Sequence, residues 1–164
     1  MDLVFSTATF HWIMDHARLF GRRAGARKPG GRLAAQCGGE GNISRATRAT
    51  REVMRRERFH TYFEDWDDDK NYAGAEETKR RLEDAGFEGV ETWLHEAPTR
   101  FGSVEELARF LATVVLGGHL QRLPGGEREA FAGAVAEEIS AEDGDPLLDY
   151  VRLNMTATRS GGGA

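Results

Sequence analysis

Three runs of residues in this chain have the types and spacing to do chemistry. Gly38-Gly39-Glu40-Gly41 follows a short apolar stretch and precedes a helical pattern. That is the setting of a phosphate-binding turn, where main-chain N–H groups face an anion. It lacks the Gly-x-Gly-x-x-Gly spacing, and a tight turn lining a pocket suits it better. Asp65, Asp67, Asp69 and Glu76 match positions 1, 3, 5 and 12 of a calcium-loop pattern. Lys70 stands at the position where the sharp turn needs glycine, and its charge opposes a cation. A solvated acidic loop is therefore expected there, and no metal site. Arg45, Arg48, Arg51, Arg55 and Arg58 step by three or four residues, which puts a basic stripe on one helix. Such a stripe could meet phosphates or an acidic partner. The helical wheel supports instead a solvated face opposite Ile43, Ala46, Val53 and Met54.

The chain that must position these groups has 164 residues, a mass of 18.2 kDa and a net charge of −5. The acidic balance argues against nucleic acid as the main partner. No run of about 18 apolar residues is present, so no membrane span is expected. The single cysteine, Cys37, excludes an internal disulfide and suits a reducing cytoplasm.

The elements follow from periodicity and punctuation. Leu3-Val4-Phe5 reads as a strand buried on both faces. Asp15 to Arg27 reads as a helix stopped by Pro29-Gly30-Gly31, and Arg32 to Cys37 as a second strand. Asn42 is expected to cap a helix running to about Arg58. Residues 59–74 are irregular and aromatic. Ala75 to Ala85 is a helix closed by Gly86, followed by a strand over Gly89 to Ala97. Ser103 and Glu106 have capping-box spacing and open a helix carrying Leu107, Phe110, Leu111, Val114 and Val115. A further helix covers about Glu127 to Ile139, and a last strand about Leu147 to Ala157. Residues 159–164 should be a disordered tail. Strands alternating with helices predict an α/β layer fold with a largely parallel sheet.

The wording of certain segments says more. Asp2 to Ile13, Asp15-His16 and Pro29 to Gln36 resemble the fourth and fifth strands of a class I S-adenosylmethionine-dependent methyltransferase, and are similar in particular to the trans-aconitate 2-methyltransferase group. Glu76 to Phe87 resembles that family's helix before the sixth strand, and Asp149 to Met155 its final strand. The resemblance implies a partial Rossmann-like methyltransferase fold holding strands four to seven of a seven-stranded sheet, with the first three absent. It covers residues 1–158, with a helical segment at about 103–140.

It also implies site residues. Ser6, Thr7 and Ala8 would lie beside S-adenosylmethionine at the end of the fourth strand. His11, Trp12, Tyr72, Tyr150 and Arg152 would line the acceptor pocket, with Arg152 suited to a carboxylate. No catalytic base is assigned, because displacement on a sulfonium carbon by a carboxylate needs positioning more than proton transfer. The family's glycine-rich cofactor turn and its ribose-binding acid belong to strand-helix units that the chain does not match, roughly 90 residues at about 30 per unit. The expectation is a small-molecule methyltransferase portion that is inactive alone. The alternative is a non-catalytic module that pairs with another chain, or with itself, through the open edge of its first strand. Gly21, Gly25, Arg23 and Arg27 further weaken the first helix, the glycines by about 1 kcal/mol each.

Overall fold

A computed structural model describes residues 2–25, 30–67, 70–141 and 144–159, with only the backbone given for residues 22–25. The chain divides into two compact units, one of residues 1–42, 68–97 and 150–164, the other of residues 43–67 and 98–149.

The first unit is a four-stranded sheet of β1 (Leu3–Thr7), β2 (Arg32–Gly38), β3 (Phe87–Glu96) and β6 (Val151–Arg159), in the order β1-β2-β6-β3. β1 pairs with β2 in parallel, whereas β6 runs antiparallel to both β2 and β3. β1, β2 and β3 thus share one direction, and β6 is wedged between two of them against it. The sheet is mixed rather than largely parallel. Helices α1 (His16–Gly25) and α3 (Ala75–Asp84) belong to the same unit. The core joins Val4, Leu33, Ala35, Cys37, Leu153, Met155 and Ala157 from the strands to Leu19, Phe20 and Leu82 from the helices. These strand residues sit at alternate positions, so they share one face of the sheet. The other face of β1 is open: Val4 is buried, but Leu3 is 53% and Phe5 72% exposed. This corrects the expectation of a strand buried on both sides.

Asp15 opens α1 by accepting from Arg18 N–H at 2.9 Å. The expected flaw at Arg23 and Arg27 falls on side chains outside the described residues; of the expected 159–164 tail, Arg159 ends β6 and the rest lies outside the described residues. Gly86, at φ +82°, closes α3 with its N–H on Glu83 O at 2.9 Å.

The second unit is mainly helical. It contains α2 (Ser44–Met54), α4 (Val104–Phe110), α5 (Gly117–Arg122) and α6 (Gly125–Ser140), with a π turn at Leu111–Val115 and a short ribbon of β4 (Thr99–Arg100) against β5 (Leu147–Leu148). The last expected strand is therefore broken at Asp149-Tyr150, and its first part pairs within this unit. α2 ends at Met54, short of Arg58. Its amino end is not capped by Asn42, whose Oδ1 accepts from Val151 N–H at 3.0 Å in the sheet unit. Asp149 does that work instead: its carboxylate accepts from Arg45 N–H at 3.2 Å and from Ser44 Oγ. Ser103 does cap α4, accepting from Glu106 N–H at 3.2 Å. The Glu106 carboxylate in return accepts from Gly102 N–H at 2.8 Å. Phe131 packs edge-on against Phe59 and tilted against Phe63 within the unit, with ring centroids 5.2 Å apart in each pair.

Candidate functional site

The carboxyl ends of β1 and β2 lie side by side, because the two strands pair in parallel from Leu3↔Arg32 to Thr7↔Gln36. In open α/β sheets this edge is where ligands bind. The chain leaves β1 through Ala8, whose φ of +51° is uncommon for a residue with a Cβ. Ala8 N–H donates to Gln36 O at 2.8 Å, and Thr9 Oγ1 donates to Thr7 O at 2.8 Å. A 3-10 turn follows at Phe10–Trp12. Phe10 goes into the core, where its ring meets Phe20 edge-on at 6.0 Å. His11 turns to the strand ends.

His11 is buried, and its Nδ1 accepts from Gly38 N–H at 3.1 Å. An N–H can only donate, so Nδ1 carries no proton and the neutral ring holds its hydrogen on Nε2. Burial holds the His11 pKa below the ordinary 6.5, and the charges of Lys70, Arg152 and then His16 push the same way. The imidazole lies between two aromatic rings, 5.3 Å from Trp12 and 5.7 Å from Tyr72. Lys70 Nζ is 5.0 Å from the Trp12 ring centre. The Arg152 guanidinium is 4.2 Å from the Tyr150 ring centre, a cation–π distance. Burial raises the Tyr150 pKa, with Arg152 partly opposing. Cys37, on β2 and in the core, is pushed up to about 11 by burial, so its thiol stays protonated and is no nucleophile.

Of the residues singled out by the sequence, His11, Trp12 and Tyr72 are brought into ring contact. Tyr150 and Arg152 form a second pair whose cation acts on His11. Ser6 is half-buried on the same face of β1 as Val4, while Thr7 and Ala8 are exposed at the strand end. Lys70 and Asn71 were missed. Asn71 pins the turn by two bonds, N–H to His11 O at 2.8 Å and Nδ2 to Met14 O at 2.9 Å. The only signal for them was a polar Lys-Asn pair just before the aromatic Tyr72.

The glycine run behaves as a packed turn. A Cβ on Gly38 would lie 2.6 Å from the Tyr72 ring, and one on Gly39 2.6 Å from Leu94 and 2.8 Å from the Leu153 Cβ. The space a phosphate would need is filled by side chains. Among the described residues no cluster of His, Cys, Asp or Glu could hold a metal ion. Asp65 pairs with Arg122 at 2.5 Å, and Asp69 lies outside the described residues. No helix of the described residues is long and apolar enough to cross a membrane.

No protein-family model matches the chain, and no curated protein does. Solved structures do. A Bacillus halodurans protein provisionally described as a methyltransferase aligns with 97% of this chain over 70% of its own length, at 14% identity and a TM-score of 0.56. The chain shares the α/β fold of that protein. Haemonchus contortus phosphoethanolamine N-methyltransferase 2, in complex with phosphomonomethylethanolamine and S-adenosylhomocysteine, aligns with 98% of the chain over 33% of its own length, at 17% identity and a TM-score of 0.49. A Galdieria sulphuraria protein described provisionally as a sarcosine dimethylglycine methyltransferase aligns with 97% of the chain over 53% of its length, at 14% identity and a TM-score of 0.47. The chain thus spans about a third to a half of these last two. The fold likeness rests on the Bacillus halodurans protein.

Proposed function

We propose that this chain supplies the acceptor-binding side of an S-adenosylmethionine-dependent methyltransferase that acts on a small carboxylate, of the trans-aconitate kind. One observation carries the reading: Lys70 and Arg152, with Trp12, Tyr72 and Tyr150, gather about His11 at the carboxyl ends of β1 and β2. Two cations backed by aromatic rings suit an anionic acceptor, and Arg152 can take a carboxylate through two parallel hydrogen bonds. The neutral His11 would donate from Nε2 without adding a charge. The cofactor, when bound, supplies an electrophilic methyl group. Ser6, Thr7 and Ala8 are the residues that fit its edge: two hydroxyls and an exposed turn at the strand end. The turn Gly38–Gly41 does not fit it, because side chains occupy the space beside its first two glycines. We expect the chain by itself to bind S-adenosylmethionine weakly and to transfer no methyl group, because no stretch of it matches the family's glycine-rich cofactor turn.

The test is titration of trans-aconitate into the isotope-labelled chain, followed by NMR. Saturable shifts at His11, Tyr72 and Arg152, weakened at least about tenfold by Arg152→Gln through loss of a charge-assisted bidentate pair, are expected. Absence of shifts there, or unchanged binding by the variant, would remove the carboxylate reading.

A second reading has its own observation. Leu3 and Phe5 are exposed on a strand that, among the described residues, pairs on one side only, which invites self-association or pairing with another chain. Phe5→Ser should shift light-scattering mass toward the monomer. A parent that is monomeric at high concentration would exclude the self-association arm.

A further inference from the structure

The arginine stripe on α2 finds no use in the site above, and the structure sorts its members. Arg45 is half-buried and donates from Nη2 to Ile139 O at 2.9 Å. Arg58 pairs with Glu127 at 2.7 Å. Arg51 and Arg55 line a cavity of about 350 Å³ at the carboxyl end of α2. That size lies within the usual range of small-molecule pockets. Its floor is Met54, Phe63 and Trp66, and its rim adds His60 and Glu64. The floor is held firmly. Trp66 stands edge-on to Phe63 at 6.0 Å and lies 4.1 Å from the His119 ring. Arg122, itself bound to Asp65, sits 5.3 Å from the Trp66 ring centre.

We propose that this cavity binds a small oxyanion carried on a planar ring, such as an aromatic phosphate or carboxylate. The lining offers two guanidinium groups, whose forked N–H donors suit an oxyanion; Glu64 stands beside them, and Glu52 on Arg55 adds a second carboxylate. His60 Nδ1 faces Glu57 O at 3.0 Å. A carbonyl only accepts, so this bond places the ring hydrogen on Nδ1 and leaves Nε2 as an acceptor. Arg55 does pair with Glu52 at 2.7 Å, but both side chains are largely exposed. Such a pair is weak and yields readily to a ligand anion. The aromatic and thioether floor gives the flat apolar surface on which a ring stacks. A nucleic acid following the whole stripe is the poorer fit, because Arg45 is committed inside its own unit and Glu64 stands in the path.

The probe is phenyl phosphate, titrated into the full chain labelled with nitrogen-15, with inorganic phosphate and phenol as controls. Saturable shifts confined to residues 51–66 are expected, with each control binding at least about tenfold more weakly. Arg51→Gln with Arg55→Gln should weaken phenyl phosphate at least about tenfold, with the thermal midpoint unchanged. Glu64→Gln should tighten it a few-fold, on the order expected from removing one nearby like charge at the surface. Glutamine keeps helix propensity at Arg51, inside α2, and a similar length at Arg55, just past its end. The proposal is overturned if the shifts spread over the arginine surface or are absent. It is equally overturned if phosphate alone binds as well, or if Glu64→Gln weakens binding.

Discussion

The sheet unit and the helical unit secure their polar groups by different means. In the sheet unit the central histidine is held by main chain: Gly38 N–H faces its Nδ1, and Asn71 N–H bonds to its carbonyl. Strand register fixes Gly38, and both contacts are made by main-chain N–H groups rather than by side chains. In the helical unit the equivalent work falls to lone side chains reaching across the sequence. Asp149 caps α2 from 104 residues further on, and Arg45 reaches Ile139 O 94 residues away. A main-chain anchor survives most substitutions but demands close packing around it. A side-chain anchor tolerates loose surroundings but is lost with one residue.

The first half of that contrast is broken most severely at Gly39. Its φ is unremarkable, so only space requires glycine there. An added methyl would meet Leu94 at 2.6 Å, the Leu153 Cβ at 2.8 Å and the Leu153 main-chain nitrogen at 3.1 Å. Because β6 is pinned between β2 and β3, it has no free side toward which to shift. Gly39→Ala should cost about 3 kcal/mol, the upper range for overpacking, as read by urea unfolding. A cost below about 1 kcal/mol would mean that the turn yields and that the anchor is not rigid.

The second half is tested at Asp149. Replacing it by alanine removes the acceptor for Arg45 N–H and Ser44 Oγ together, and a negative charge from the start of α2. The expected loss is about 1–2 kcal/mol, from the cap and the helix dipole. Asp149→Asn keeps an acceptor and should recover about half of it. Equal losses from the two variants would assign the effect to charge alone.

The buried histidines add a pH signature that belongs to the sheet unit. The pKa values of His11 and His16 are both held below 6.5 in the folded chain, in each case chiefly by burial. The unfolded state therefore binds protons more readily than the folded one. Their contribution to stability is complete above about pH 7 and is lost as pH falls through 6.5 toward the folded values. The slope approaches about 1.4 kcal/mol per pH unit for each group between its two pKa values. His11→Gln should flatten the stability profile between pH 7 and 5 relative to the parent. An unchanged profile would show that folding leaves His11 as readily protonated as it is in the unfolded chain.

Much of this architecture was legible in the chain, and the gaps share a cause. β1, β2, α3 and the cap at Ser103 followed from local signals, each carried within about ten residues. The direction of β6 did not, because periodicity records which face is apolar and nothing about the neighbour. Asn42 is a good capping residue by type, but the β6 main chain took its carboxamide, and Asp149 filled the vacancy from across the sequence. In the site, the wording of the strand-end segments placed His11 beside Tyr72 and Arg152 in one neighbourhood. Lys70 and Asn71 escaped notice because a polar pair in an irregular loop has no period to betray it.

The smallest expected effect reverses sign between the units. Gly133 lies in the interior of α6, and an added Cβ there meets nothing within 4 Å. A mid-helix glycine costs about 0.5–1 kcal/mol relative to alanine through backbone freedom in the unfolded chain. Gly133→Ala should therefore stabilise the helical unit by that amount, while the same change at Gly39 disrupts the sheet unit. Measuring both by urea unfolding, with tryptophan fluorescence and helical circular dichroism as separate probes, tests the contrast within one chain. A loss at Gly133 would mean that the groove beside it, lined by Ala108, Ala112 and Leu120, is filled in the folded protein by something that a methyl group displaces.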